Sequence, residues 1–77
     1  MKLKFPPHAQ ARIMERGVNI EHIKAAIRNP DATEDTFEGR KRITKRIEDT
    51  KEIEVIYFKE NFKDRKEEYI IITAYYL

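Results

Sequence analysis

The dipeptide Asn29-Pro30 divides the chain into two hydrophobic periods, and that division limits the fold more than any other feature. Before it, apolar residues recur at helical spacing. Ile20, Ile23 and Ile27 share one face with Ala26 at its edge, and Ala9, Ile13 and Met14 lie on one flank of an earlier segment. After it, apolar and polar residues alternate, with Ile43 and Ile47 against Arg42, Thr44 and Arg46. A residue before proline avoids helical geometry, so no helix continues through this point. Helices followed by strands give an α+β domain. The expected order is α-α-β-β-β-β: two N-terminal helices packed on one face of a four-stranded antiparallel sheet, with residues 1–77 as a single domain.

The first helix enters through Pro6-Pro7 and stops at Gly17. Proline suits a first turn because its missing N–H has no intrahelical partner there, and glycine accepts the left-handed conformation that closes a last turn. At about 100° per residue, His8, Arg12, Glu15 and Arg16 fall on one side. One flank is fit to bury, and the other carries an imidazole and two guanidiniums in a row. Asn19 is a good N-cap for the second helix, and Val18 can staple onto Ile23. Leu3 and Phe5 read as an apolar lead-in beneath the first helix.

Four strands are expected: an acidic edge over Ala32–Phe37, then Arg40–Ile47, Ile53–Phe58 and Tyr69–Tyr76, with turns at Glu38-Gly39 and Asp49-Thr50 and a polar connection over Glu60–Glu67. Apolar residues on both faces mark Ile53–Phe58 as central. Simple alternation in the last strand sets Tyr69, Ile71, Thr73 and Tyr75 against Ile70, Ile72, Ala74 and Tyr76. With helices on one face, the other is left for solvent, a partner or a substrate.

Composition narrows the function classes. Without cysteine there is neither a disulfide nor a thiolate metal site. Two histidines without metal-ligand spacing make a metal or cofactor an unpromising expectation. Serine is absent, which removes a serine nucleophile. No stretch resembles a signal peptide or approaches the roughly 20 apolar residues of a membrane span, so a cytoplasmic protein without a membrane partner is expected. Charged residues are 39% of the chain, yet the net charge is only +2. Such dense, balanced charge is typical of thermophile surfaces. It permits a nucleic-acid partner only where basic residues cluster.

They cluster in two places. Five of the seven residues from Arg40 to Arg46 are basic. With Ile43 facing the core, Arg42, Thr44 and Arg46 project together and could fork onto phosphate oxygens. The plainer reading is a solvated strand whose charges pair with Glu52 and Glu54. The other cluster is the row on the first helix. At a helix N-terminus His8 tends to stay neutral, and with Arg12 one turn on it could serve as general base beside an electrostatic stabiliser. The plainer reading is an exposed or capping histidine. His22 reads as surface. Thr73 and Tyr75 share a face near the chain end, where a tyrosine can stack on a base.

His8-Ala9-x-x-Arg12-x-x-x-Arg16-Gly17-Val18, a second helix ending in Arg28-Asn29-Pro30-Asp31, Gly39-Arg40 with its basic strand, Ile53–Tyr57, and Ile71-Ile72-Thr73-Ala74-Tyr75 together form a pattern. It resembles a small prokaryotic and archaeal family of domains of unknown function, grouped with RelE-like and BrnT-like toxins in the Barnase–EndoU–colicin–RelE (BECR) superfamily of metal-independent ribonucleases. The resemblance implies a RelE-like fold with a cleft on or beside the open sheet face. It implies His8 and Arg12 as catalytic residues, and Arg16, Arg42, Arg46, Thr73 and Tyr75 as substrate-binding residues. Arg16, beside the Gly17 cap, also fits a pairing with last-turn carbonyls or an acidic neighbour. The implied function is an endoribonuclease, the toxin of a toxin–antitoxin pair. RNA would be the substrate, an antitoxin protein the partner, no cofactor would be needed, and the state would be monomer or homodimer. A non-catalytic RNA-binding or protein-interaction module of the same fold is the alternative.

Overall fold

The computed structural model describes residues 1–60 and 67–77. The elements are β1 (Lys2–Lys4), α1 (Pro7–Glu15), α2 (Ile20–Arg28), β2 (Ala32–Asp35), a 3-10 turn (Phe37–Gly39), β3 (Lys41–Glu48), β4 (Lys51–Glu60) and β5 (Glu68–Tyr76). Two helices lie against a five-stranded mixed sheet ordered β1-β5-β4-β3-β2. The expected polar connection after Glu60 falls largely on 61–66, outside the described residues.

The α+β class holds, but the expected four antiparallel strands are five, because the lead-in is a strand. β1 pairs parallel with the start of β5, Leu3 opposite Tyr69. Three residues carry no readable alternation, and the partner is the far end of the chain, so no local signal announces this pairing. Chemistry at the edge supports it: Lys2 and Lys4 lie 3.3 and 3.7 Å from the Glu68 carboxylate. The acidic strand is the opposite edge, as expected, but it ends at Asp35 and is exposed throughout.

α1 ends in a Schellman motif. Val18 N–H donates to the Ile13 carbonyl at 3.1 Å, Gly17 N–H donates to Met14 at 3.1 Å, and Gly17 takes φ +66°. The turn delivers Val18 into the core beside Ile23. The Asn19 side chain then accepts from Glu21 N–H at 2.8 Å, capping α2. Ala9 and Ile13 bury from α1, and Ile23 and Ala26 bury from α2. Met14 and Ile20, expected on the apolar sides, are exposed instead. Both stand at the α1–α2 junction, away from the face the sheet covers.

Ile43, Ile53, Val55, Tyr57, Ile71 and Ala74 meet the helices from the sheet. The core face of β4 is therefore Ile53, Val55 and Tyr57. In β5 the simple alternation fails. Ile56 pairs with Thr73 and Tyr57 with Ile71, so Ile72 is extra and forms a bulge. The bulge puts Ile71 and Ala74 on the same core face. Thr73 and Tyr75, paired with Ile56 and Glu54, stand on the open face.

Candidate functional site

α1 packs on β5 beyond the point where β1 stops, level with Ile70. Its C-cap residue Arg16 therefore comes level with Thr73–Tyr75. Arg16 Nη1 donates to Thr73 Oγ1 at 2.9 Å and to the Ala74 carbonyl at 3.2 Å. The guanidinium carbon lies 5.6 Å from the centre of the Tyr75 ring, within cation–π range. Three of the expected substrate-binding residues are thus joined into one seam across the edge of the sheet. Arg16 pairs with the strand edge, not with its own last-turn carbonyls or an acid.

The seam extends over the open face. The Tyr75 hydroxyl donates to a Glu54 carboxylate oxygen, and Arg42 on β3 pairs with Glu34 on β2. The hydrogen bond to Glu54, then burial, then the Glu54 charge hold the Tyr75 phenol above its usual pKa, while Arg42 and Arg16 pull the other way. Arg42 is itself raised by its bond to Glu34.

The basic strand does project Arg42, Thr44 and Arg46 from the open face, since Ile43 is buried between them. Its charges are largely answered by the acidic edge. Besides the Arg42–Glu34 pair, Lys41 lies 2.6 Å from Asp35 and Lys45 3.9 Å from Asp31. The partners come from β2 and its approach, not from Glu52 and Glu54. Arg46 turns its Nη1 to the Asp49 carbonyl at 2.9 Å, toward the β3–β4 turn.

The His8 and Arg12 side chains are exposed and have no hydrogen-bond or ion-pair partner among the described residues. They precede Arg16 by two turns and one turn on α1, so they continue its row. Arg42 and Arg46 stand on β3, two strands from β5 and about 10 Å away across the sheet at the usual strand spacing. An open hollow of about 490 Å³, lined by Leu3, Lys4, Phe5, Pro6 and Ile70, lies at the foot of α1, near the His8 end of the row. Among the described residues no group of three His, Cys, Asp or Glu side chains could hold a metal ion, and no helix is long and apolar enough to cross a membrane.

His22 is not a bare surface residue. Its Nδ1 lies 2.7 Å from the Tyr76 hydroxyl, which also accepts Asn19 N–H at 3.1 Å. The two rings meet edge to face, and the Lys51 ammonium sits 4.8 Å from the centre of the Tyr76 ring. Tyr76 projects to the helix side while its neighbour Tyr75 projects to the open side. The strand end thus binds α2 through one tyrosine and Arg16 through the other. Sequence reading missed the latch because residues 54 positions apart carry it. Replacing Tyr76 by phenylalanine orphans both partners of the hydroxyl. The expected cost is about 1–2 kcal/mol, seen as a fall of roughly 4–16 °C in thermal midpoint.

These features define a class: a small α+β domain whose helices cover one face of a mixed sheet and whose arginine at the end of the first helix, Arg16, reaches round the edge toward the open face. The chain belongs to the family described as Domain of unknown function (DUF4258), whose model matches residues 5–76. No curated protein and no solved structure matches it significantly.

Proposed function

We propose that the chain is a metal-independent endoribonuclease of RelE-like kind, with the α1 row and the Tyr75 seam as its RNA-contact surface. The observation that carries this reading is the placement of Arg16. A guanidinium has five N–H donors. The two hydrogens on Nη1 face Thr73 and Ala74, and the ring of Tyr75 supports the plane. The remaining donors are left to fork onto a phosphate, and Arg12 one turn away adds a second positive charge. Single-stranded RNA suits such a surface because it offers phosphates and unstacked bases together.

In this reading His8, at the far end of the row, takes the proton of a ribose 2′-hydroxyl. The 2′-oxygen attacks the adjacent phosphorus, the 5′-oxygen leaves with a proton taken from solvent water, and a 2′,3′-cyclic phosphate remains. Arg12 stabilises the charge on the pentacovalent phosphate. The antitoxin role of a partner protein belongs to the same proposal.

His8→Ala is expected to lower cleavage of a labelled RNA by roughly 10²- to 10⁴-fold, with RNA binding retained and wild-type activity unaffected by chelator. Cleavage undiminished in a folded His8→Ala protein would falsify the mechanism. The second reading is a non-catalytic RNA-binding module. It is favoured by the exposed, unpartnered setting of the His8 side chain. Salt-sensitive binding with no product identifies it.

A further inference from the structure

We propose that Glu54 is a positioning residue for RNA binding: its carboxylate holds the Tyr75 ring so that the ring keeps the Arg16 guanidinium aimed at a phosphate. The inference rests on the RNA reading above and adds to it a residue with no assigned role there. The geometry is a relay across two strands and a helix end. Glu54 and Tyr75 are direct cross-strand partners on the open face. The Tyr75 hydroxyl donates to the Glu54 carboxylate. The other side of the relay is Arg16, over the Tyr75 ring and bonded to Thr73 on the same strand. Glu54 is half-buried, and the Arg42 charge on the next strand acts on both Glu54 and Tyr75.

The sign of the effect separates positioning from plain electrostatics. A carboxylate beside a phosphate seat repels the ligand, so on charge alone its removal strengthens RNA binding. If Glu54 acts by holding Tyr75, removal weakens binding even though a negative charge is lost. Glutamine separates the two, because its amide oxygen still accepts the phenol O–H without carrying charge.

The experiment measures binding of a single-stranded RNA oligonucleotide by wild type, Glu54→Ala and Glu54→Gln, with thermal melts as folding controls. Glu54→Ala is expected to weaken binding by about three- to tenfold, the order of one hydrogen bond lost from the relay. Glu54→Gln is expected to bind as well as wild type or slightly tighter. A phenolate titration by ultraviolet absorbance, with Tyr75→Phe identifying the Tyr75 signal, reads the Glu54–Tyr75 contact directly, and an unchanged thermal melt separates its loss from general loosening. Glu54→Gln should lower the Tyr75 midpoint, because the charged acceptor that stabilises the protonated phenol is gone. Binding by Glu54→Ala equal to or tighter than wild type overturns the proposal while leaving the RNA reading intact. Loss of binding in Glu54→Gln equal to that in Glu54→Ala also overturns it. No RNA binding by the wild type overturns both readings together.

Discussion

Ile71→Ala is expected to lower the thermal midpoint by roughly 10–30 °C, while Ile72→Ala costs half of that or less. Ile71 is fully buried, and truncating such a side chain costs about 2–5 kcal/mol, the lost transfer energy plus a cavity. A chain of 77 residues has on the order of 4–12 kcal/mol to lose, and each kcal/mol moves the midpoint of a domain this size by about 4–8 °C. The contrast between two neighbouring isoleucines tests the β5 bulge directly. Without the bulge, Ile72 would share the core face with Ala74, and Ile71 would stand on the open face with Thr73 and Tyr75. Thermal melts of the two single variants decide it, and equal or reversed losses would show that the register is wrong.

Arg16→Ala is the second large effect, and it falls on function with little effect on the fold. Arg16 is exposed and lies outside the apolar core, so the melt should change by only a few degrees. Its hydrogen bonds to Thr73 and Ala74 are made at the sheet edge, where water can replace them. A charge-assisted contact to phosphate is worth about 1.5–3 kcal/mol, so RNA affinity should drop by roughly ten- to a hundredfold. The slope of log affinity against log salt should shrink by about 0.7, the value for one phosphate contact on a single strand. Arg46→Ala is the control: that guanidinium turns to the Asp49 carbonyl and should leave the slope unchanged. If both variants bind alike, or if Arg46→Ala is the weaker, the RNA surface is the basic strand and not the α1 row.

The distribution of charge bears on what kind of nucleic-acid contact is feasible. The net charge of +2 conceals a local cancellation: Asp31, Glu34 and Asp35 lie beside Lys45, Arg42 and Lys41. Such pairs contribute little to stability at a surface, but they reduce the positive potential that β3 presents. The arginines of α1 have no acidic partner among the described residues and keep theirs. Electrostatic attraction of an RNA therefore favours the helix edge over the middle of the sheet.

Much of the architecture was legible in the residues. The helix bounds followed from Pro7, Gly17, Asn19 and Asn29-Pro30, because caps and breakers act on the backbone within a turn or two. β3 followed from alternation and β4 from apolar residues on both of its faces, and Thr73 and Tyr75 were placed correctly on one face because they lie on the same side of the bulge. What stayed illegible involved distant partners. Lys2–Lys4 is a strand only because Glu68–Ile70 is there to pair with it. Met14 and Ile20 look apolar enough to bury, but no layer covers the junction where they stand. His22 looks like surface until Tyr76 arrives from the other end of the chain.

The sequence by itself determined the α+β class, the two helices, the open sheet face and the charged row from His8 to Arg16, since each of these depends on spacing within one segment. Only the tertiary structure decided that the sheet has five strands and that Ile72 bulges out of register. It also decided that Arg16 meets Thr73 and Tyr75, while Arg42 pairs with Glu34 and Arg46 turns to the Asp49 carbonyl. Those outcomes depend on which strands lie beside which, and on whether an edge charge finds a partner. Pairing between segments distant in the chain leaves no periodic trace in either segment.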